Sequence, residues 1–145
     1  MNWQKSAIDD LKLYRKRKAA LLNIRERIQS ANEGIDGLKA VVTDRVPLSG
    51  GGSKYEERVL ENMVERERLK ATYKATKRLV DITERGLSGL SDDERAVLFG
   101  FFVDRTSNYV TDLCERLGYE KTKIYEIKNR ALYVFTVSAY GLSDY

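Results

Sequence analysis

"LCERLGYEKTKIYEIKNRAL", residues 113–132, carries a glycine near its centre with apolar residues at helical spacing on both sides. Either one amphipathic helix passes through Gly118, or two helices meet there at a turn. The spacing favours the turn. With Val110 as the first position of a helix-turn-helix, Leu113 is fourth, Cys114 fifth, Leu117 eighth and Gly118 ninth; Tyr119 is then tenth, Ile124 fifteenth and Ile127 eighteenth. The fifth position must be small, because the second helix crosses close to it, and Cys114 suits it as a small hydrophobe. The ninth must tolerate positive φ, which glycine does at little steric cost. The remaining apolar positions close a small core. In an unbroken helix, Gly118 would cost about 1 kcal/mol with no return. A helical hairpin that only packs would show a similar pattern and is the competing reading.

Upstream, "LSDDERAVLFGFFVDR" opens with a capping box, Ser91 and Glu94, and places Asp92 and Asp93 where they oppose the helix dipole favourably. Val97, Leu98, Phe101 and Phe102 form a dense apolar face, and "RTSN" ends the helix. A long helix is expected over residues 53–85, with Ser53 as N-cap, Glu56 completing the box, and a stripe of Tyr55, Val59, Met63, Leu69, Tyr73, Val80 and Leu87. Arg66 and Thr76 interrupt that stripe, and Gly86 and Gly89 mark its end. Such a helix is roughly 50 Å long. Another long helix is expected over residues 3–33, carried by Ile8, Leu11, Tyr14, Leu21, Ile24, Ile28 and Ala31. It is interrupted by the basic run Arg15 to Lys18, read here as a solvated face rather than a phosphate patch. Between the two helices, residues 34–52 read as a connector, with glycines, Pro47 and "SGGG" breaking the periodicity.

The fold class expected is therefore all-α: two long N-terminal helices paired like a coiled-coil hairpin, then a three-helix module. Residues 1–89 form the oligomerisation region and residues 90–145 the second domain. The narrow, impure stripes of the long helices should be covered by each other and by a second copy of the chain, so a homodimer or other homo-oligomer is expected.

Composition removes several function classes. The 145 residues contain no histidine and one cysteine, so the commonest general base and multi-cysteine metal sites are missing. There is no phosphate-cradling glycine motif and no nucleophile–base pair. No catalytic residue, metal or cofactor is expected, and the chain does not read as an enzyme. No apolar run is long enough for a bilayer, so no membrane association is expected. The opening "MNWQKSAIDD" has no apolar core of a signal peptide, so a cytoplasmic location is expected. The net charge of +4 is uneven. Residues 1–33 carry eight Lys/Arg against four Asp/Glu, whereas residues 90–145 carry seven against nine.

Residues 90–140 resemble the fourth region of bacterial sigma factors, which binds the promoter −35 element. The likeness lies in Leu-Ser-x-x-Glu-Arg-x-Val-Leu, a helix ending in Leu-Gly, and a helix leading into Arg-Ala-Leu. Nearly the whole chain, including "VPLSGGGSKYEERVLENMVE", resembles the ArpU/RinA-type group of phage proteins, taken to be regulators of late genes. The resemblance implies a sequence-specific regulator of phage or prophage genes that binds double-stranded DNA. It implies a recognition helix starting near Lys121, presenting Glu120, Lys121, Thr122, Tyr125, Glu126 and Asn129. Lys121 would donate to guanine, Asn129 pair with an adenine edge and Glu126 accept from cytosine. Lys123, Lys128 and Arg130 would contact phosphates, and Arg130 has a competing role as a bridge to an acid on a preceding helix. Two other functions remain open: a terminase small-subunit-like packaging protein, and a module that grips host RNA polymerase or a sigma factor without reading DNA. The acidic balance of residues 90–145 favours the last.

Overall fold

The computed structural model describes the backbone of residues 2–44 and 52–141, and the side chains of residues 2–38 and 54–141. It is all-α among these residues. The elements are α1 (Trp3–Asp44), α2 (Gly52–Ser88), α3 (Asp92–Leu98), a π-helical segment Phe99–Val103, α4 (Tyr109–Leu117) and α5 (Lys121–Tyr140). Among the described residues, no helix is long and apolar enough to cross a membrane.

Three expectations on the long helices are corrected. The first helix does not end near residue 33: α1 continues through Gly34 and Gly37 to Asp44, so residues 34–44 of the expected connector are helical. A glycine in a helix interior costs about 1 kcal/mol. Ile35, 2% exposed, and the buried Ala31 outweigh that cost by packing. The second correction concerns the start of α2. The helix begins at Gly52, so Ser53 lies inside it and is not the N-cap. Gly86, expected at its end, is likewise interior, since α2 runs to Ser88. The proline and the first two glycines of "SGGG", read as a flexible loop, lie outside the described residues.

Two compact units divide the chain: residues 1–18 with 78–145, and residues 19–77. In the second unit, Ile24, Ala31 and Ile35 of α1 and Leu69 of α2 are buried. Arg66, one of the two interruptions in the α2 stripe, points inward and donates to Asn32 Oδ1 at 3.2 Å. One guanidinium nitrogen thus finds a partner on the facing helix, while the buried Nε lies 3.5 Å from Glu67 without a hydrogen bond. Arg27 and Glu65 pair across the helices at 3.6 Å, and Arg68 pairs with Glu65 along α2 at 2.8 Å. Leu22, Leu60 and Val64 remain 61–69% exposed.

The first unit joins the start of α1 and the end of α2 to residues 90–141, so the packed unit is larger than the expected domain beginning at residue 90. Ala7, Leu11 and Tyr14 of α1 are buried, as are Val80, Thr83 and Leu87 of α2. Against them lies the second half of α5, with Ala131, Leu132, Phe135, Thr136 and Ala139 buried. Arg85 donates to the Ala139 carbonyl at 2.6 Å and Arg95 to the Leu87 carbonyl at 3.2 Å. Asp10 accepts from Arg17 at 2.7 Å and also from the Tyr140 hydroxyl. Trp3 packs on the Tyr140 ring at 5.2 Å.

Gly86 is required by closeness. A Cβ there would sit 2.5 Å from the ring of the fully buried Phe135. At Gly37 a Cβ would meet nothing within 4 Å. Gly86→Ala is therefore expected to destabilise the first unit by about 1–3 kcal/mol through overpacking. Gly37→Ala should leave stability unchanged or raise it by about 1 kcal/mol. Urea unfolding followed by circular dichroism, with both variants beside wild type, measures the contrast.

Candidate functional site

The site is the first half of α5 and the elements that hold it. α3 starts from the capping box read in the sequence: Glu94 N–H donates to Ser91 Oγ and Ser91 N–H to Glu94 Oε1, both at 3.2 Å. Its last turn widens into the π segment, where Asp104 N–H reaches back five residues to the Phe99 carbonyl at 2.7 Å. Sequence periodicity gave no sign of this widening. Within it, Gly100 lies against Leu113 so closely that a Cβ would stand 2.8 Å from a methyl group. Phe99 turns towards α1, with the Tyr14 ring edge-on at 6.3 Å, while Phe101 enters the core.

α4 ends on Gly118 with φ +75° and ψ +25°, its N–H bonded to the Cys114 carbonyl at 2.9 Å. Three residues, 118–120, then lead into α5. The core beneath is Val97, Phe101, Leu113 and Ile124. Phe102, Tyr109, Val110, Cys114, Leu117, Tyr119 and Ile127 pack against it. Each position counted from Val110 thus lies at the core or, for Gly118, at the positive-φ turn. The Tyr119 hydroxyl donates to Asp93 Oδ2 at 2.9 Å, tying the turn to the start of α3. That hydrogen bond and the Asp93 charge hold the Tyr119 phenol above its ordinary range.

Ile124 is fully buried and Ile127 half-buried, while Lys121, Thr122, Lys123, Tyr125, Glu126, Asn129 and Arg130 are exposed. Lys128, named with them, is half-buried. Its ammonium lies 5.6 Å from the Phe101 ring centre and 5.7 Å from that of Tyr125. Tyr125 itself stands edge-on to Phe101 at 5.5 Å. The eight residues spread over an exposed arc with two different flanks. On one, Tyr125 and Lys128 adjoin the aromatic cluster, with Lys121 one turn before Tyr125. On the other, Lys123, Glu126 and Arg130 line a groove of about 370 Å³ with Ser91, Asp93, Glu94 and Tyr119. Arg130 makes no ion pair with those acids among the described residues, so the bridge considered for it is not formed. Among the described residues there is also no group of three or more His, Cys, Asp or Glu that could hold a metal.

Sequence reasoning missed the role of Phe101 as a platform for Tyr125 and Lys128, and missed Arg105, whose guanidinium lies 4.3 Å from the Tyr109 ring centre. The basic run on α1 is partly accounted for within the fold. Arg15 makes two bonds to Asp104, at 2.9 and 2.7 Å, Arg17 pairs with Asp10, and Lys18 lies over the Tyr14 ring.

No family model, no curated protein and no solved structure matches this chain.

Two expectations test the site's construction. Gly118→Ala places a side chain at positive φ and should cost about 1–2 kcal/mol although the space around it is open. Ile124→Asp buries an unpaired charge and should abolish cooperative unfolding of the module. Both are read by thermal unfolding. A third concerns pH. The Arg15 hydrogen bonds hold the Asp104 carboxyl below its usual range. Its contribution is thus complete above the ordinary carboxylate pKa of about 3.9 and is lost as pH falls through the lower folded value. Asp104→Asn should be slightly less stable than wild type near neutrality, and the difference should vanish towards pH 2. The effect is small because both partners are about half exposed.

Proposed function

We propose that the chain is a sequence-specific DNA-binding regulator of phage or prophage late genes, with α4, residues 118–120 and α5 acting as a helix-turn-helix of the sigma region-four kind. The observation that carries the reading is the split of α5. Ile124 and Ile127 face the core, while Lys121, Thr122, Tyr125, Glu126 and Asn129 face outward from the turn that Gly118 makes. A helix that reads base edges needs such a face, with side chains bearing both donors and acceptors, on a rigid support. α1 and α2 serve as a paired-helix region through which two copies associate, because Leu22, Leu60 and Val64 expose apolar surface that the chain itself leaves uncovered.

A second reading rests on a separate feature. Beyond Asn129, α5 exposes Tyr133 and Val137, 47% and 37% accessible and one turn apart. Together with the net negative charge of residues 90–145, they suit a protein partner such as host RNA polymerase better than a phosphate backbone.

The test compares Lys121→Ala and Asn129→Ala with wild type on intergenic DNA from the phage or prophage and on random duplex, at one salt concentration. Each should lose about 1–3 kcal/mol on the specific site and much less on random DNA. Folded variants that keep wild-type discrimination would shift the balance to the polymerase reading. Light scattering on the full chain should return a dimer at micromolar concentration. A monomer would remove the oligomerisation part of the proposal.

A further inference from the structure

The net charge of residues 90–145 is negative, yet the flank of α5 formed by Lys121, Tyr125 and Lys128 is organised differently. Three rings lie in contact there: Phe101 with Tyr109 at 5.0 Å and Phe101 with Tyr125 at 5.5 Å, both edge-on. Two cations are seated on them. Arg105 lies over Tyr109 and donates to its hydroxyl at 2.9 Å. Lys128 lies over Phe101 and Tyr125. Neither forms an ion pair among the described residues. A cation held on a ring keeps its full charge and most of its N–H donors.

The acids nearest in the chain to Arg105 are engaged elsewhere. Both oxygens of Asp104 accept from Arg15 of α1, and Asp112 accepts from the Thr106 hydroxyl at 3.3 Å. Arg15 thus neutralises the carboxylate beside Arg105, giving one member of the basic run on α1 a use that does not require it to touch a ligand. The mixed-charge groove on the opposite flank, with Asp93 and Glu94 beside Lys123 and Arg130, has no such separation of sign.

We infer that Arg105 and Lys128, seated on the Tyr109–Phe101–Tyr125 rings, form a binding site for the phosphodiester backbone beside α5, and that Arg15 is a positioning residue that keeps Asp104 from opposing it. The inference rests on the DNA-binding reading and deepens it by assigning affinity to Arg105, outside the recognition helix. The rings hold the two side chains before binding, so little rotamer freedom is lost when a phosphate arrives. A phosphate contact carries no base information, so the site acts equally on any duplex.

The test uses the full-length protein and a random-sequence 30-base-pair duplex, with affinity measured by fluorescence anisotropy between about 50 and 200 mM salt. Each of Arg105→Gln and Lys128→Gln should shrink the log–log salt slope by about 0.9, a loss of roughly 3.5-fold in the salt response over that range, and the double variant by about 1.8. Arg105→Lys should restore most of the slope, because a phosphate needs the charge more than the fork. Arg15→Gln should weaken binding, and Arg15→Gln with Asp104→Asn should recover it, which loss of a direct contact by Arg15 would not allow. Circular dichroism confirms that each variant is folded; Arg105, being exposed, is the substitution least coupled to the core. If wild type binds duplex and the folded Arg105→Gln variant keeps its slope, this site is overturned while the DNA-binding reading stands. If wild type binds no duplex at low salt, both fall together.

Discussion

The ring of Phe101 is the point on which the C-terminal part of the molecule depends. It is buried with Val97, Leu113 and Ile124, which hold α3, α4 and α5 together. It also meets Phe102, Tyr109 and Tyr125 and lies beneath the Lys128 ammonium. One side chain thus closes the core and supports the surface. Phe99 and Phe101 lie two residues apart on one helical turn, so Phe99 faces α1 while Phe101 enters the core with α4 and α5. The same turn brings Gly100 against Leu113, where a β-carbon would not fit. Core and surface are coupled at this position, so a change in Phe101 would be felt in both.

A second constraint ties α5 to the long helices. Asp10 is nearly buried, and its carboxylate is satisfied from two directions, by Arg17 on its own helix and by Tyr140 at the far end of α5. Burial, followed by the Asp10 hydrogen bond, pushes the Tyr140 phenol well above its ordinary range, so it remains a donor at any physiological pH. A buried carboxylate is tolerable only when so paired. With Phe135 against Gly86, Asp10 makes α5 a component of the N-terminal helices as well as of the helical module. About 30 Å of helix thereby serves two purposes: its first half presents a polar face, and its second half docks.

Charge is distributed in the same divided way. Counted along the chain, the basic excess belongs to the first helix and the C-terminal segment is acidic. In space, Arg15 and Arg17 are spent on Asp104 and Asp10, while Arg105 and Lys128 sit on aromatic rings. A net charge is a sum over residues, whereas a ligand responds to the local arrangement. The acidic total is thus compatible with a cationic flank beside α5.

The amino-acid sequence by itself determined the elements whose signals are local. The capping box at Ser91, the positive-φ requirement at Gly118, the inward positions of Leu113, Ile124 and Ile127, and the outward positions of Lys121, Thr122 and Asn129 all follow from spacing along one or two turns of helix. So do the inward stripes of α1 and α2, buried at Leu11, Tyr14, Ile24, Ala31, Leu69, Val80 and Leu87 and half-buried at their other positions. What only the tertiary structure decided depended on partners far away in the chain. Gly34 and Gly37 read as breakers, yet α1 continues through them, because packing at Ala31 and Ile35 exceeds the local propensity cost. Gly86 read as a helix end, yet it is a point of contact with Phe135, forty-nine residues later. The Arg15–Asp104 pair and the seats of Arg105 and Lys128 have no periodic signature either. A cation's partner is set by which surfaces meet, and that is a property of the packed chain rather than of any window along it.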